Sequence, residues 1–426
     1  MGLDRLEAQA KKTLPKAVYE FYSGGAETES TLRDNRNVFQ RYKLLPRLRP
    51  ASLTVDMSTS LLGQPLSMPI LIAPTALQCL AHPDGELATS RAAARCGTAM
   101  VVSTNATHGV DEVAATGNPF LMFQLYVFRN REAVRGLVQE VERLGYKALA
   151  VTVDVARPGN READTRNAFA VPAHLRVKNL DWAKTHQNVP SPSSGNPSQA
   201  AAQHDYAAAV PMPSSDGATQ AAARSHQASR QDGADHSGQT ADQAAPYHSM
   251  HANVYDQALT WEFIPWLRTI TRLPIFVKGI LSPLDAHIAL DHGVDGIMVS
   301  NHGGRQCDYA LATLDVLPSI TAVANRRVPV IVDGGIRTGA DVLKALALGA
   351  DGVMIGRPVL YGLAVKGQQG VEQVLETLRI ELQASMVYAG CSSLKHINRR
   401  LLVSTSGYGQ DRRPNEYCVP IARSSL

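Results

Sequence analysis

Residues 274–306 read PIFVKGILSPLDAHIALDHGVDGIMVSNHGGRQ. Two short β-branched apolar runs, IFVKG and GIMVSN, flank a helix-length pattern, PLDAHIALDHG, whose last glycine suits the left-handed position after a helix. Strand, helix and strand in this order form the unit of a parallel sheet wrapped by helices. The alternation begins at Met68 and continues beyond this stretch. PILIAPTA, AMVVST, FLMFQLYV and ALAVTVD precede it, and VPVIVDGG and GVMIGR follow, with helical patterns such as PDGELATSRAAARCG, REAVRGLVQEVERLG and TGADVLKALALG between them. Eight strand runs predict an α/β fold, a closed (β/α)8 TIM barrel preceded by an N-terminal helical segment.

The 426 residues fit one such barrel with extra segments, although length alone would also allow two ordinary domains. We read 1–400 as one domain and 401–426 as a C-terminal tail. From about Asp181 to Val254 the chain is rich in Ala, Ser, Gln, His, Asp and Pro without apolar periodicity. This segment is expected to be a long disordered insertion after strand four, at the catalytic mouth, where it could serve as a lid. Its histidines lack the spacing and companion ligands of a metal site.

The formal net charge of +4 arises from Lys and Arg spread along the chain, unlike the basic clusters that bind nucleic acid. Five cysteines, widely spaced and without a CxxC pair, argue against a disulfide framework or zinc site and for a reducing compartment. No apolar run reaches the roughly 18 residues needed to span a bilayer, and the N-terminus lacks a signal-peptide core. An intracellular protein without a membrane partner is expected. The terminal Ser424-Ser425-Leu426 partly matches a small-basic-leucine peroxisomal address, with Ser in the middle and Arg423 just before it. Peroxisome and cytoplasm both stay open.

In a β/α barrel the polar residue closing each apolar strand points to the mouth. Here the strand ends supply Ser103, Gln124, Tyr126, Thr152, Asp154, Lys278, Ser300, Asn301, His302, Asp333 and Arg357. The sharpest signal is Ser300-Asn301-His302-Gly303-Gly304-Arg305, which sets a titratable base and a fixed cation in one tight turn. Such a pair suits an anionic substrate, with Arg305 forking onto a carboxylate and His302 removing a proton nearby. A surface turn with incidental charge is the rival reading, and the preceding strand weighs against it. Asp333-Gly334-Gly335-Ile336-Arg337 and Gly356-Arg357 close the last two strands, where barrels commonly bind phosphate. A phosphate-bearing cofactor follows.

From Leu14 to about Lys395 the chain resembles the FMN-dependent L-2-hydroxy acid oxidases and dehydrogenases, whose members include glycolate oxidase and long-chain hydroxy acid oxidases. The resemblance runs through LPKAVYEFYSGGA, LIAPTA, FQLYV, TVDVARPGNREAD, VKGI, SNHGGRQ, DGGIR and KALALGADGVMIGRP. It implies FMN held by Pro74, Thr75, Ala76, Ser103, Gln124, Thr152, Lys278 and Ser300, with its ribityl chain and phosphate at Asp333, Gly335, Arg337, Gly356 and Arg357. It also implies His302 as base, Asp154 as its carboxylate partner, Tyr126 as the hydroxyl-binding phenol, and Arg161 and Arg305 as the carboxylate clamp.

The implied activity is oxidation of a small L-2-hydroxy acid to the 2-oxo acid, with O2 as the expected second acceptor and H2O2 as product. A quinone- or cytochrome-linked dehydrogenase and a lactate monooxygenase are the alternatives, and a catalytically silent barrel that binds a partner through its polar insert is disfavoured by the full set of His302, Arg305, Asp154, Lys278 and Tyr126. Ala76 matches several oxidases, whereas mandelate dehydrogenase has Gly there. The family also implies a homo-oligomer, a tetramer. Two substrate-side positions depart from the pattern: Phe21 stands where short-chain members have Tyr, and Asn105 where glycolate oxidase has Trp. From these two residues a preference for side chains larger than that of glycolate is expected.

Overall fold

The computed structural model describes residues 2–47, 54–180 and 254–405. Eight parallel strands close a barrel: β1 (Ile70–Ile72), β2 (Met100–Ser103), β3 (Leu121–Leu125), β4 (Leu149–Thr152), β5 (Ile275–Ile280), β6 (Gly296–Val299), β7 (Val330–Val332) and β8 (Gly352–Ile355). Each run singled out in the sequence supplies one strand, and β8 pairs back onto β1 with Val353 opposite Ile70. The helical patterns become Gly85–Arg95, Arg131–Arg143, Pro283–Asp291 and Gly339–Ala347.

Side chains alternate along a strand, so each strand splits its residues between two cores. One set, including Leu71, Val101, Met122, Ala150, Phe276, Met298, Ile331 and Met354, fills the barrel interior, with Leu61 and Leu66 of the Thr59–Leu61/Gln64–Leu66 hairpin joining it. The other set, such as Ile72, Val102, Phe123, Val151 and Val277, packs outward in the larger core that contains the helices. Full burial of each large apolar side chain stabilises by roughly 1.5–3 kcal/mol. Two residues beyond the interior-facing Val101, Met122, Ala150, Phe276, Met298 and Ile331 stand Ser103, Gln124, Thr152, Lys278, Ser300 and Asp333. The same alternation that builds the core therefore aims these polar groups at the mouth.

The expected N-terminal helical segment is present as Leu3–Thr13, Lys16–Ser23 and Ser30–Asn37. Asp308 fastens it to the loop after β6, accepting from the Thr28 and Thr31 amides at 3.0 and 2.9 Å and from Thr28 Oγ1 at 2.6 Å. Asn35 and Asn301 exchange two amide hydrogen bonds of 2.8 Å. The stretch expected to begin a tail still pairs, Leu402–Ser404 lying antiparallel to Tyr42–Leu44. The insertion expected at 181–254, apart from Val254, and positions 406–426 with their terminal tripeptide lie outside the described residues. Among the described residues no helix is long and apolar enough to cross a membrane, and Cys79, Cys96, Cys307 and Cys391 are unpaired.

Candidate active site

The strand ends open into one cavity enclosing about 1210 Å³, counting the space at its mouth. It is lined by Phe21, Pro74, Thr75, Ala76, Ser103, Asn105, Gln124, Tyr126, Thr152, Arg161, Lys278, His302, Arg305, Asp333, Gly335, Arg337, Gly356 and Arg357. Of the strand-end and cofactor residues named from sequence, Asp154, Ser300 and Asn301 stand behind this lining.

His302 is the centre of one cluster. Its φ of 57° lies in the left-handed region, uncommon for a residue with a side chain. The turn is held by Ser300 Oγ, which accepts the His302 amide at 3.1 Å, and by Asn301 Oδ1, which accepts the Gly304 amide at 3.1 Å. The ring is gripped at both nitrogens, Nδ1 lying 2.9 Å from Asp154 Oδ1 and Nε2 3.3 Å from the Tyr126 hydroxyl. Asp154 can approach because β5 carries an irregularity at Gly279, whose φ is +112°. A Cβ there would fall 2.6 Å from that of Asp154.

Burial lowers the His302 pKa, Lys278 and Arg305 push the same way, and Asp154 opposes them. The ring is thus poised as a neutral base. For Asp154, burial acts to raise the pKa, but His302, through charge and hydrogen bond, and then Lys278 prevail and hold the carboxyl below its ordinary value.

Two arginines border this cluster. Arg161 Nε donates to Asp164 Oδ2 at 2.8 Å, with the two side chains only 7% and 3% exposed. Arg161 Nη1 also reaches the Arg305 carbonyl at 3.4 Å, while Arg305 Nη1 donates to the carbonyls of Phe21 at 2.7 Å and Gly24 at 2.9 Å. A small carboxylate between them would meet two fixed cations in the cavity that His302 also lines.

The deeper half of the cavity is cationic and rich in donors. Lys278 Nζ donates to Ser300 Oγ at 3.0 Å and lies 3.6 Å from Asp333 Oδ2. Ser300 is fully buried and off the cavity wall, so it acts here by placing Lys278 and the His302 amide. Gln124 Nε2 donates to Thr152 Oγ1 at 3.0 Å. Arg357 spends three donors on backbone, Nε to Tyr22 at 2.9 Å, Nη1 to Gly303 at 2.9 Å and Nη2 to Gly24 at 2.8 Å.

Burial depresses the pKa of Arg337 and of Arg357, outweighing the opposing pull of Tyr361 and Glu7 on both. Asp333 Oδ1 and Arg337 Nε are buried without a hydrogen-bond partner among the described residues, a state that costs about 1–3 kcal/mol per group. A cofactor with hydroxyls and a phosphate would satisfy both. Gly335 has a φ of +77°, and a Cβ there would sit 1.7 Å from the Asn35 carbonyl oxygen. Its bareness is required first by the N-terminal segment behind it.

Sequence reasoning passed over Asp164, Gly279 and Tyr255. The Arg161/Asp164 spacing of three was a readable signal. For Tyr255 none existed, since its partner Asn105 lies 150 positions away. One further group, Cys79, Glu86 and His108, brings possible metal-ligand atoms within 4.8 Å of one another. The Glu86 carboxylate there already accepts from the Gln78, Thr107 and His108 amides and from Thr107 Oγ1.

Residues 10–404 match the model of a family described as FMN-dependent dehydrogenase. The glycolate oxidase of Spinacia oleracea is 42% identical over 398 residues, covering 93% of this chain and 94% of that protein. A mandelate oxidase solved with (S)-4-hydroxymandelic acid superposes with a TM-score of 0.77 at 34% identity, covering 94% of this chain and 98% of its own. An active chimera of (S)-mandelate dehydrogenase does so with a TM-score of 0.76 at 33% identity, covering 95% and 99%.

Proposed function

The chain belongs to the FMN-dependent dehydrogenase family, and on that premise we propose that it oxidises a small L-2-hydroxy acid to the 2-oxo acid, with O2 as the second electron acceptor. FMN, when bound, supplies a two-electron acceptor beside the substrate's α-carbon. Lys278, Gln124, Thr152 and Ser103 would hold its ring, and Asp333, Gly335, Arg337, Gly356 and Arg357 its ribityl chain and phosphate. The carrying observation is that His302 and Tyr126, with Asp154 behind the imidazole, share one cavity with these buried cations.

Arg305 and Arg161 orient the substrate carboxylate, a fork-shaped match for a planar anion. Tyr126 holds the substrate hydroxyl beside His302 Nε2. His302, neutral at rest, accepts the proton at that nitrogen while Asp154 steadies the developing imidazolium through Nδ1. Lys278, held by Ser300 and Asp333, would offer its positive charge to a bound flavin and favour the reduced, more negative ring. Ala76 on the cavity wall favours the oxidase reading through the resemblance described above.

The test is anaerobic addition of glycolate, lactate, 2-hydroxyoctanoate or mandelate to the flavin-loaded protein, followed by air. At least one L-2-hydroxy acid should bleach the visible flavin absorbance, and air should restore it within the turnover time. Bleaching without recovery would move the second acceptor to a quinone or cytochrome. Failure of every acid to bleach a fully loaded protein would overturn the reaction itself.

A further inference from the structure

What bounds the substrate's side chain can be read on the Asn105 side of the cavity. Asn105 lines the cavity yet is only 2% exposed, and its Oδ1 accepts the Tyr255 hydroxyl at 2.5 Å. The Tyr255 ring lies 4.8 Å from that of Tyr126 and 5.8 Å from that of Phe128, centroid to centroid. Its backbone is fixed as well. Tyr255 forms an antiparallel bridge with Phe128, the Arg129 amide donates to the Val254 carbonyl at 3.0 Å, and Arg129 Nε donates to the Tyr255 carbonyl at 3.3 Å. A phenol held at main chain, ring face and hydroxyl behaves as a wall.

We infer that Asn105 and Tyr255 together wall off the side-chain end of the substrate site, and that this hydrogen-bonded pair restricts the enzyme to 2-hydroxy acids with short side chains. The inference rests on the proposed reaction and runs against the expectation drawn from Phe21 and Asn105. A small residue at 105 widens a cavity only when nothing stands behind it, and Tyr255 stands there. To admit a long chain the pair must part, leaving a buried hydroxyl and a buried amide oxygen short of a hydrogen bond. Residue 255 is therefore a specificity-determining position acting through Asn105 and Tyr126.

The holoenzyme and its Tyr255→Ala and Tyr255→Phe variants decide the matter through two readouts. The first is binding of acetate, butanoate and octanoate to the oxidised protein, followed by perturbation of the flavin's visible absorbance. The second is the ratio of kcat/KM for 2-hydroxyoctanoate to that for lactate. Tyr255→Ala should raise both long-to-short ratios by about tenfold or more, and Tyr255→Phe, which keeps the ring but loses the hydroxyl, by about threefold. Ratios within about twofold of the parent in a variant with a normal flavin spectrum would overturn the inference, as would a parent enzyme that prefers 2-hydroxyoctanoate to lactate. Should Tyr255→Ala fail to fold, an unchanged ratio in Tyr255→Phe is itself the refuting result. If no 2-hydroxy acid reduces the flavin, the proposed reaction fails, while the carboxylate series still tests the wall.

Discussion

Replacement of Asp154 by Asn keeps the shape of the His302 cluster and removes its negative charge. Asp154 Oδ1 lies 2.9 Å from His302 Nδ1, and the side chains are 12% and 22% exposed. At a charge separation of about 4 Å and an effective dielectric near 20, a carboxylate and an imidazolium attract by about 4 kcal/mol. The net worth of a hydrogen bond to a charged group is smaller, about 1.5–3 kcal/mol. This attraction exists only once His302 carries the proton, so its loss falls on the barrier and leaves substrate binding nearly unchanged. At 1.36 kcal/mol per decade, the rate of anaerobic flavin bleaching at saturating substrate should drop roughly ten- to two-hundred-fold.

The pH profile supplies a second sign. Protonated His302 cannot accept a proton, so kcat/KM declines as pH falls through the imidazole pKa, which burial, Lys278 and Arg305 place below the usual 6.5. Asp154 is the group that raises it. In Asp154→Asn the acid limb should therefore move to still lower pH even as the plateau falls. Rapid-mixing absorbance across pH 4–8 (about the window in which imidazole titrates) measures both. An unchanged plateau, or an acid limb displaced to higher pH, would refute the pairing.

Asp164→Asn releases one edge of the Arg161 guanidinium from a buried ion pair; KM for the preferred acid should rise about tenfold with kcat changed less, in steady-state assays. Gly335→Ala forces a Cβ against the Asn35 carbonyl at a positive φ. It should destabilise by more than about 1 kcal/mol, seen as a lower Tm and weaker flavin retention on gel filtration. Lys278→Met strips the buried Asp333 of its neighbouring cation. Titration of the flavin-free protein, followed by flavin fluorescence, should show affinity lowered by about tenfold or more.

The barrel was legible because its strands, buried on both faces, read as short continuous apolar runs between helical patterns, and because the polar residue ending each run stands out against Val, Ile and Met. His302, Arg305, Lys278 and Asp333 could be named for that reason, and the structure gathers them around one cavity. Alternation reports a direction, however, and direction is not contact. Ser300 shares the mouth-facing alternation, yet its hydroxyl is taken by Lys278 and the His302 amide. What stands behind Asn105 could not be read from its neighbours in sequence, because its hydrogen-bond partner Tyr255 lies far along the chain. The need for glycine at 335 looked like a phosphate requirement, whereas the nearer neighbour is the Asn35 carbonyl. Each of these depends on what a long-range partner brings, which spacing within a segment cannot encode.

The guanidinium groups of Arg305 and Arg357 grip the carbonyls at the end of the Lys16–Ser23 helix while facing the cavity where anions are to be held. Seating of the segment ahead of the barrel and capture of a phosphate or carboxylate thus draw on the same side chains. By thermodynamic linkage, whichever happens first strengthens the other by an equal factor. Cofactor retention becomes partly a property of a stretch that contributes no barrel strand, and limited proteolysis should cut that stretch soonest in flavin-free protein.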